Sequence, residues 1–305
     1  MKCAVFGGGG FIGSSVCDRL LREGHSLRVF ERVMVNPYRK FSSEEHVEWI
    51  SGDMLSDSDI GRCLGGMDVV IHLVSTTLPK SSNEDPIYDV QSNLGASLRV
   101  LQSMVKHGVK KIVFISSGGT IYGTPEYLPL DERHPTNPRV SYGITKLAIE
   151  KYLHLFADLH GIKPVILRVS NPFGAHQRVE SAQGAVTAFI HRAKAGKPIE
   201  IWGDGTVTRD YLHVSDVAEA FLKALDYEGS RTVFNIGSGR GTTLNEIVAV
   251  IGGILGRTLE KTHLPSRPFD IPSNVLDVAL AKKELGWSPD LTLEEGIRKT
   301  LGDIF

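Results

Sequence analysis

Hydrophobic and polar residues alternate along the first 170 residues in blocks that predict a parallel sheet covered by helices. Short aliphatic and β-branched runs fit strands buried on both faces, and the segments between them have helical periodicity. The predicted strands are 2–6, 26–31, 47–52, 69–74, 111–116 and 164–169. The predicted helices are 10–23, 56–64, 86–106 and 141–160. This order predicts an α/β fold, a Rossmann-type doubly wound parallel sheet.

After residue 171 the pattern loosens and predicts a smaller α/β substrate-binding domain. The elements predicted there are helices 185–195, 216–225, 244–255 and 291–301 and strands 199–201 and 233–236. We assign residues 1–170 to a dinucleotide-binding domain, and 171–208 with 237–305 to the smaller domain. We expect the stretch 209–236 to pack back onto the first sheet.

Composition and charge narrow the classes of protein to consider. Of the 305 residues 41% are hydrophobic and 23% charged, as in ordinary globular proteins. The formal net charge of −1 gives no global attraction to nucleic acid or an anionic membrane. No apolar stretch is long enough to span a membrane, and the three cysteines have no disulfide or metal spacing. We therefore expect a cytoplasmic protein without metal, nucleic-acid partner or membrane segment.

The segment GGGGFIG, residues 7–13, directly follows the first predicted strand. Gly7, Gly10 and Gly13 allow a tight turn, close approach of backbone to a pyrophosphate, and close packing of helix on strand. The pyrophosphate would bind amide groups at the helix N-terminus, next to Phe11 and Ile12. The segment therefore predicts a dinucleotide-binding turn.

The residues after the second and third predicted strands indicate which dinucleotide binds. Glu31 lies eighteen positions after Gly13, where a carboxylate contacts the adenosine ribose hydroxyls. Its charge would repel a 2′-phosphate, whereas Arg32 would attract that phosphate or stack on adenine. Asp53, followed by Met54, is placed either to reach the adenine edge or to cap a turn. Glu31 therefore favours NAD over NADP.

Tyr142 and Lys146 form a candidate catalytic pair. They lie four residues apart on a predicted helix and share one face. A nearby ammonium stabilises a phenolate and lowers its pKa from about 10. Such a pair can take a proton from a sugar hydroxyl while a nicotinamide takes hydride from the same carbon. The spacing also fits an exposed helical pair, but a hydroxyl-rich loop, SSGGT, precedes it at the carboxyl edge of the sheet.

Together, the glycine spacing, the hydroxyl-rich loop that ends in Tyr122-Gly123 and the Y-x-x-x-K pair resemble the extended short-chain dehydrogenase/reductases of the NAD-dependent epimerase/dehydratase family. The likeness covers nearly the whole chain and is closest to the UDP-glucose (UDP-galactose) 4-epimerases. It implies further cofactor contacts by Leu73, Val74, Ser75, Asn93 and Ser116.

The resemblance also implies a nucleotide-sugar site. Asn171 would hold the phosphates, Arg209 and Arg267 would clamp the pyrophosphate, and Arg178 would touch the nucleotide; as alternatives, the arginines are surface ion-pair partners. Asn274 aligns with a large aromatic that excludes N-acetyl groups in the family. Its smaller side chain would leave room for UDP-GlcNAc or UDP-GalNAc, unless it is a turn residue.

The mechanism implied by the resemblance is epimerisation at C4. Tyr142 would remove the proton of the 4-hydroxyl while the C4 hydride moves to NAD. The 4-keto sugar would then turn over and take the hydride back on its other face. Lys146 would hold the nicotinamide ribose. Many relatives have Ser or Thr at the position of Gly118 to bond the sugar O4, so here Thr120 or Ser117 would supply that hydroxyl.

Other activities fit the sequence less well. The Asp-Glu pair of the related 4,6-dehydratases is replaced by Gly119 and Thr120, which argues against dehydration and against the related decarboxylation. A 4-keto-sugar reductase consuming NAD(P)H shares nearly every motif and remains the alternative. A non-catalytic NAD-binding sensor is less favoured, because Tyr142 and Lys146 are both retained. By resemblance, helices 94–106 and 141–160 would form the interface of a homodimer.

Overall fold

A computed structural model describes residues 1–35, 37–177, 184–266 and 271–304. In these ranges the strands are β1 (Lys2–Phe6), β2 (Ser26–Glu31), β3 (Val47–Ser51), β4 (Val69–His72), β5 (Lys111–Ser117), β6 (Lys163–Val169), β7 (Asn171–Phe173), β8 (Ile199–Trp202), β9 (Thr208–His213), β10 (Val233–Ile236), β11 (Gly241–Thr243), β12 (Lys261–Leu264) and β13 (Ser273–Asn274). The helices are α1 (Phe11–Arg22), α2 (Asp57–Leu64), α3 (Pro79–Glu84), α4 (Pro86–Asp89), α5 (Ala96–His107), α6 (Ser141–His160), α7 (Ala185–Lys194), α8 (Val214–Asp226), α9 (Leu244–Leu255), α10 (Ala279–Glu284) and α11 (Leu293–Ile304). A π-helical turn, Val90–Gly95, joins α4 to α5.

Within the described ranges the large sheet has seven parallel strands in the order β3-β2-β1-β4-β5-β6-β10. All four residues of β4 are buried, because helices cover both faces of the sheet. One apolar cluster joins α1 and α8 to one face, and a second joins α2, α5 and α6 to the other. The predicted doubly wound sheet is confirmed, and its six strands in the first 170 residues lie within two residues of their predicted bounds.

The predicted helix 86–106 is helical throughout, but the π-helical turn interrupts its α-helical geometry. Asn93 lies in this turn, and its side-chain amide donates to the backbone carbonyl of Asp89 at 3.1 Å and to its carboxylate at 3.0 Å. Its side-chain oxygen accepts from the amide of Thr76 at 2.9 Å. Polar insertions of this kind disturb regular helices, and π turns are frequent at functional sites.

A smaller mixed sheet lies in the second part of the chain. Strand β9 pairs antiparallel with β11 and parallel with β7 and β13. Helices α7, α9 and α11 share an apolar cluster with β8 and β9. Of the stretch 209–236, α8 and β10 pack on the large sheet, whereas β9 belongs to the smaller one. The assignment of two domains stays a proposal.

None of the helices in the described part of the chain combines the length and apolar content needed to cross a bilayer. Cys3, Cys17 and Cys63 are buried and form no disulfide. Burial raises the pKa of the Cys3 and Cys63 thiols to about 12. They therefore pack as small apolar side chains. The described residues contain no group of three or more His, Cys, Asp or Glu side chains that could hold a metal ion.

Candidate active site

The glycine loop forms a cradle of bare backbone between β1 and α1. Gly7 has a φ of +88°, in the left-handed region, and its amide donates to the carbonyl of Phe30 at 3.0 Å. A Cβ on Gly13 would lie 2.1 Å from the carbonyl oxygen of Gly7. Gly10 precedes α1 and makes no side-chain cap. The helix N-terminus therefore keeps amide groups that a phosphate can bond, which fits a dinucleotide.

Glu31 lies against this cradle. Its carboxylate accepts a hydrogen bond from the amide of Gly9 at 3.0 Å. Burial raises the pKa of Glu31, while hydrogen bonds from the Gly9 and Arg32 amides oppose the shift. The side chain of Arg32 is exposed. The predicted position of the Glu31 carboxylate beside the glycine loop is therefore observed, and its contact with a ribose stays a prediction.

Asp53 has the role of a turn cap. Its carboxylate accepts a hydrogen bond from the amide of Leu55 at 2.9 Å, just before α2. The cap of α2 itself is Ser56, which accepts from the amide of Asp59 at 3.3 Å. Met54 is buried beneath this turn. Of the two predicted roles, the structure shows Asp53 capping a turn, and its contact with adenine stays a prediction.

The loop after β4 packs against the glycine loop. The amide of Leu73 donates to the carbonyl of Phe6 at 2.9 Å, and a Cβ on Gly7 would lie 3.2 Å from a methyl group of Val74. Ser75 is exposed at the end of this segment, whereas Asn93 is buried behind it. Leu73 and Val74 are therefore neighbours of the cradle, and Asn93 bonds the amide of Thr76 further along the same loop.

Tyr142 and Lys146 lie on the first turns of α6, and residues from α3 hold the start of this helix. The amide of Ser141 donates to the side-chain oxygen of Asn83 at 2.9 Å, and that of Tyr142 to the hydroxyl of Ser82 at 3.0 Å. The ammonium of Lys146 is 5.7 Å from the centroid of the Tyr142 ring. The interpretation as an exposed helical pair is therefore wrong, since Lys146 is only 3% exposed.

Lys146 points at the end of β5. Its ammonium donates to the carbonyl of Ile115 at 3.1 Å and lies 4.9 Å from the centroid of the Phe114 ring. Burial lowers the pKa of Lys146 to about 8, although the carboxylates of Asp89 and Glu150 oppose the shift. At neutral pH Lys146 therefore still carries its positive charge.

Burial of the Tyr142 hydroxyl works against the expected lowering of its pKa. Burial raises the pKa of Tyr142 to about 12; a hydrogen bond with Ser75 lowers it, and the charge of Asp89 raises it further. Removing the phenolate from water outweighs the other effects. A cationic ring bound beside Tyr142 would shift its pKa downward, because it would stabilise the phenolate.

In the hydroxyl-rich loop after β5, the close neighbours of position 118 explain why it is a glycine. A Cβ on Gly118 would lie 2.6 Å from a methyl group of Leu276 and 3.0 Å from the carbonyl oxygen of Arg168. Leu276 thus fills the space that a side chain at position 118 would need. Ser117 is half-buried, and the hydroxyl oxygen of Thr120 is buried without a hydrogen-bond partner in the described residues. Both remain candidates for the bond to the sugar O4.

A buried ion pair anchors this loop at both ends. The guanidinium of Arg168 donates to the two carboxylate oxygens of Glu150 at 2.7 and 3.1 Å. The carboxylate of Glu150 also accepts from the hydroxyl of Ser116 at 2.6 Å, and Arg168 donates to the hydroxyl of Tyr122 at 3.1 Å. The sequence interpretation did not single out Glu150. The sequence feature that could have indicated Glu150 is its spacing: it lies four residues, about one helical turn, after Lys146 on the same helix face.

Two predicted substrate residues lie beside the hydroxyl-rich loop. The side-chain amide of Asn171 donates to the carbonyl of Asp210 at 3.0 Å, and its oxygen is 3.9 Å from a Cβ built on Gly119. The side-chain amide of Asn274 donates to the carbonyl of Gly118 at 3.2 Å, at the end of β13. Asn274 is therefore next to the loop, and its effect on sugar size stays a prediction.

The predicted arginines are only partly described. In the pairing of β13 with β9, Arg209 lies opposite Asn274. Its guanidinium donates to the backbone carbonyls of Thr208 at 2.9 Å and Ile271 at 2.6 Å. Arg178 and Arg267 lie outside the described residues.

The parallel sheet, the glycine cradle and the pair of Tyr142 and Lys146 define a dinucleotide-binding protein of the extended short-chain dehydrogenase/reductase type. The model of the NAD dependent epimerase/dehydratase family matches residues 3–237. The chain belongs to this family, as its sequence predicts.

Named relatives agree with this assignment. The UDP-glucose 4-epimerase of Mycolicibacterium smegmatis is 34% identical, over 99% of this chain and 97% of that protein. The dTDP-4-dehydro-6-deoxyglucose reductase of Escherichia coli is 32% identical, over 98% of this chain and 96% of that protein. A crystal structure of the UDP-glucose 4-epimerase of Thermotoga maritima with UDP-glucose has a TM-score of 0.94 at 35% identity, over 99% and 98% of the two chains. The predicted enzyme class and the predicted cofactor NAD agree with the family and these epimerases.

Proposed function

We propose that this protein is an NAD-dependent nucleotide-sugar 4-epimerase that acts on UDP-hexoses through a transient 4-keto sugar. The observation that carries the proposal is the pair of half-buried Tyr142 and buried Lys146, held between the end of β5 and the loop that lines the glycine cradle. Family membership and the epimerases among the relatives support it.

The chemistry follows from what each group can do. When bound, NAD would supply a reversible hydride acceptor for C4 of the sugar. Tyr142 takes the proton of the 4-hydroxyl and gives it back after the sugar has turned over. Lys146 uses one N–H on the carbonyl of Ile115 and has two left for ribose hydroxyls. Its charge also favours the phenolate of Tyr142. Ser117 or Thr120 donates to the sugar O4.

We assign the cofactor to the glycine cradle and the loop after β4, with Glu31 on the adenosine ribose. The nucleotide sugar then lies between the hydroxyl-rich loop and the smaller sheet. Asn171 and Arg209 bond its phosphates, and Arg178 and Arg267 remain proposed partners. Arginine suits this task because its planar donors match phosphate oxygens.

The second candidate function is reduction of a nucleotide-linked 4-keto sugar. The 32% identical E. coli reductase favours it, since a reductase uses the same hydride and proton transfers in one direction. A reductase consumes its reduced cofactor, whereas an epimerase restores NAD in every cycle. The balance of cofactor therefore separates the two.

The test is to incubate the purified protein, without added cofactor, with UDP-glucose, UDP-GlcNAc and their C4 epimers. We expect at least one pair to interconvert without net change in absorbance at 340 nm. No turnover of any pair, together with oxidation of NADPH by a nucleotide-linked 4-keto sugar, would overturn the epimerase in favour of the reductase.

We also propose a homodimer through α6. Exposed apolar side chains run along this helix at Ile144, Tyr152, Leu155 and Leu159, with Ile87 on neighbouring α4. A second copy of the chain would cover this apolar face. Analytical ultracentrifugation should give twice the mass of one chain, and Leu155→Glu with Leu159→Glu should halve it. A cytoplasmic location stays a prediction, to be checked by cell fractionation.

A further inference from the structure

A second buried carboxylate lies next to the start of α6. Asp89, at the end of α4, is fully buried. One of its oxygens accepts hydrogen bonds from the hydroxyl of Thr77 and from the side-chain amide of Asn93, the latter at 3.0 Å. The other accepts from the hydroxyls of Ser141 and Thr145, each at 2.7 Å. Four donors from three segments therefore converge on one carboxylate.

These donors belong to the two sides of the candidate site. Thr77 follows β4, in the loop that continues from the cofactor-lining segment, and Asn93 also binds the amide of Thr76 in that loop. Ser141 and Thr145 lie on α6, each directly before one member of the Tyr142–Lys146 pair. Asp89 therefore joins the loop after β4 to the first turn of α6.

Charge supports the same link. The N-terminus of a long helix carries partial positive charge, so a buried anion is favourable beside the first turn of α6. The Asp89 carboxylate raises the pKa of both Lys146 and Tyr142. Loss of this charge would lower both pKa values.

We propose that Asp89 is a positioning residue that fixes the first turn of α6 against the loop after β4. It thereby sets where Tyr142 and Lys146 stand relative to the cofactor. The consequence for turnover rests on the proposed function, whereas the consequence for the helix does not.

The main test is hydrogen–deuterium exchange of the full chain with NAD added, comparing wild type with Asp89→Asn. Asparagine keeps the shape but offers one acceptor oxygen where four donors converge. We expect faster exchange of the amides at the start of α6, with no change in the rest of that helix. The matched control is Asp210→Asn, because Asp210 is equally buried and its carboxylate also accepts four hydrogen bonds. This control should leave the exchange of α6 unchanged.

The second readout is turnover as a function of pH. Misplacement of catalytic groups should lower kcat by about ten- to a hundredfold at an unchanged affinity for NAD. Both limbs of the pH profile should also move to lower pH, since Tyr142 and Lys146 each lose a nearby negative charge. The other titratable groups facing Lys146 are Glu150 on its own helix and His72 on β4, and burial lowers the pKa of His72 to about 3. His72 is therefore neutral throughout this range.

Unchanged exchange at the start of α6 in Asp89→Asn, or an equal change in Asp210→Asn, would overturn the proposal. If Asp89→Asn does not fold, Thr145→Val removes one donor at nearly constant volume and should speed the same exchange; no change there would equally overturn it. If the wild type interconverts no UDP-hexose, the proposed function fails, but the exchange experiment still tests the role of Asp89.

Discussion

The glycine loop and the first turns of α6 both contact the loop after β4, but they reach it by different means. The glycine loop is bare backbone, and its shape depends on residues a few positions apart, such as Gly7 and Gly13. The start of α6 depends on hydrogen bonds with α3, α4 and β5, whose partner residues are 31 to 60 positions away in the sequence. The first region is therefore a local feature of the chain, and the second is a product of the tertiary fold.

The two regions also differ in how they tolerate change. In the glycine loop a side chain added at Gly7 or Gly13 meets backbone atoms within 3.2 Å, so the effect is steric and immediate. Around α6 the side chains form buried hydrogen bonds and an ion pair, so removing one partner leaves another unsatisfied in a region of low dielectric. The following substitutions separate these effects.

The largest effect is expected for Tyr142→Phe. It removes only the phenol oxygen, so turnover of UDP-hexoses should fall by about 10²–10⁴-fold while the affinity for NAD stays the same. Steady-state kinetics and an NAD titration measure both quantities. Tyr152→Phe is the control, because Tyr152 lies on the same helix but is exposed. Full activity of Tyr142→Phe would mean that another group carries the proton.

The next effect is expected for Glu150→Leu, which leaves the Arg168 guanidinium buried without its partner. The free energy of unfolding should drop by about 3–5 kcal/mol, measured by urea denaturation. Adding Arg168→Met should restore most of this stability, because a buried pair is often replaced by apolar residues at little cost.

The double variant should nevertheless turn over more slowly, because Ser116 and Tyr122 lose the groups that hold the hydroxyl-rich loop. Glu219→Gln at the surface pair with Arg19 is the control and should change the free energy of unfolding by about 1 kcal/mol or less. A double variant as unstable as Glu150→Leu would contradict the interpretation of the buried pair.

A smaller effect is expected for Gly13→Ala in the glycine loop. The added methyl group would lie 2.1 Å from the carbonyl oxygen of Gly7 and must push the turn open. Overpacking of this size costs about 1–3 kcal/mol. If this cost is paid when the loop adopts its NAD-bound shape, the affinity for NAD should fall roughly ten- to hundredfold. Isothermal titration calorimetry measures it. Gly253→Ala, with open space around its Cβ, should bind NAD like the wild type. An equal loss of NAD affinity in both variants would contradict the steric explanation.

Much of the fold could be predicted because its signals are local. The buried strands of the large sheet read as short apolar runs, and the glycine spacing with Glu31 predicted the dinucleotide turn from residues within one βαβ unit. The position of Glu31 beside Gly9 needed no contact from the second half of the chain. The bounds of helix 86–106 could be predicted, whereas its π-helical turn could not, and there Asn93 also bonds Thr76 of a separate loop.

The sequence by itself determined the doubly wound sheet, the dinucleotide cradle and the pairing of Tyr142 with Lys146 on one helical face, because periodicity and short spacings act through neighbouring residues. Only the tertiary structure decided that Leu276 occupies the space beside Gly118, that Glu150 and Arg168 hold the hydroxyl-rich loop, and that burial raises the pKa of Tyr142. These features depend on contacts between distant segments and on the exclusion of water, and both arise only when the chain has folded.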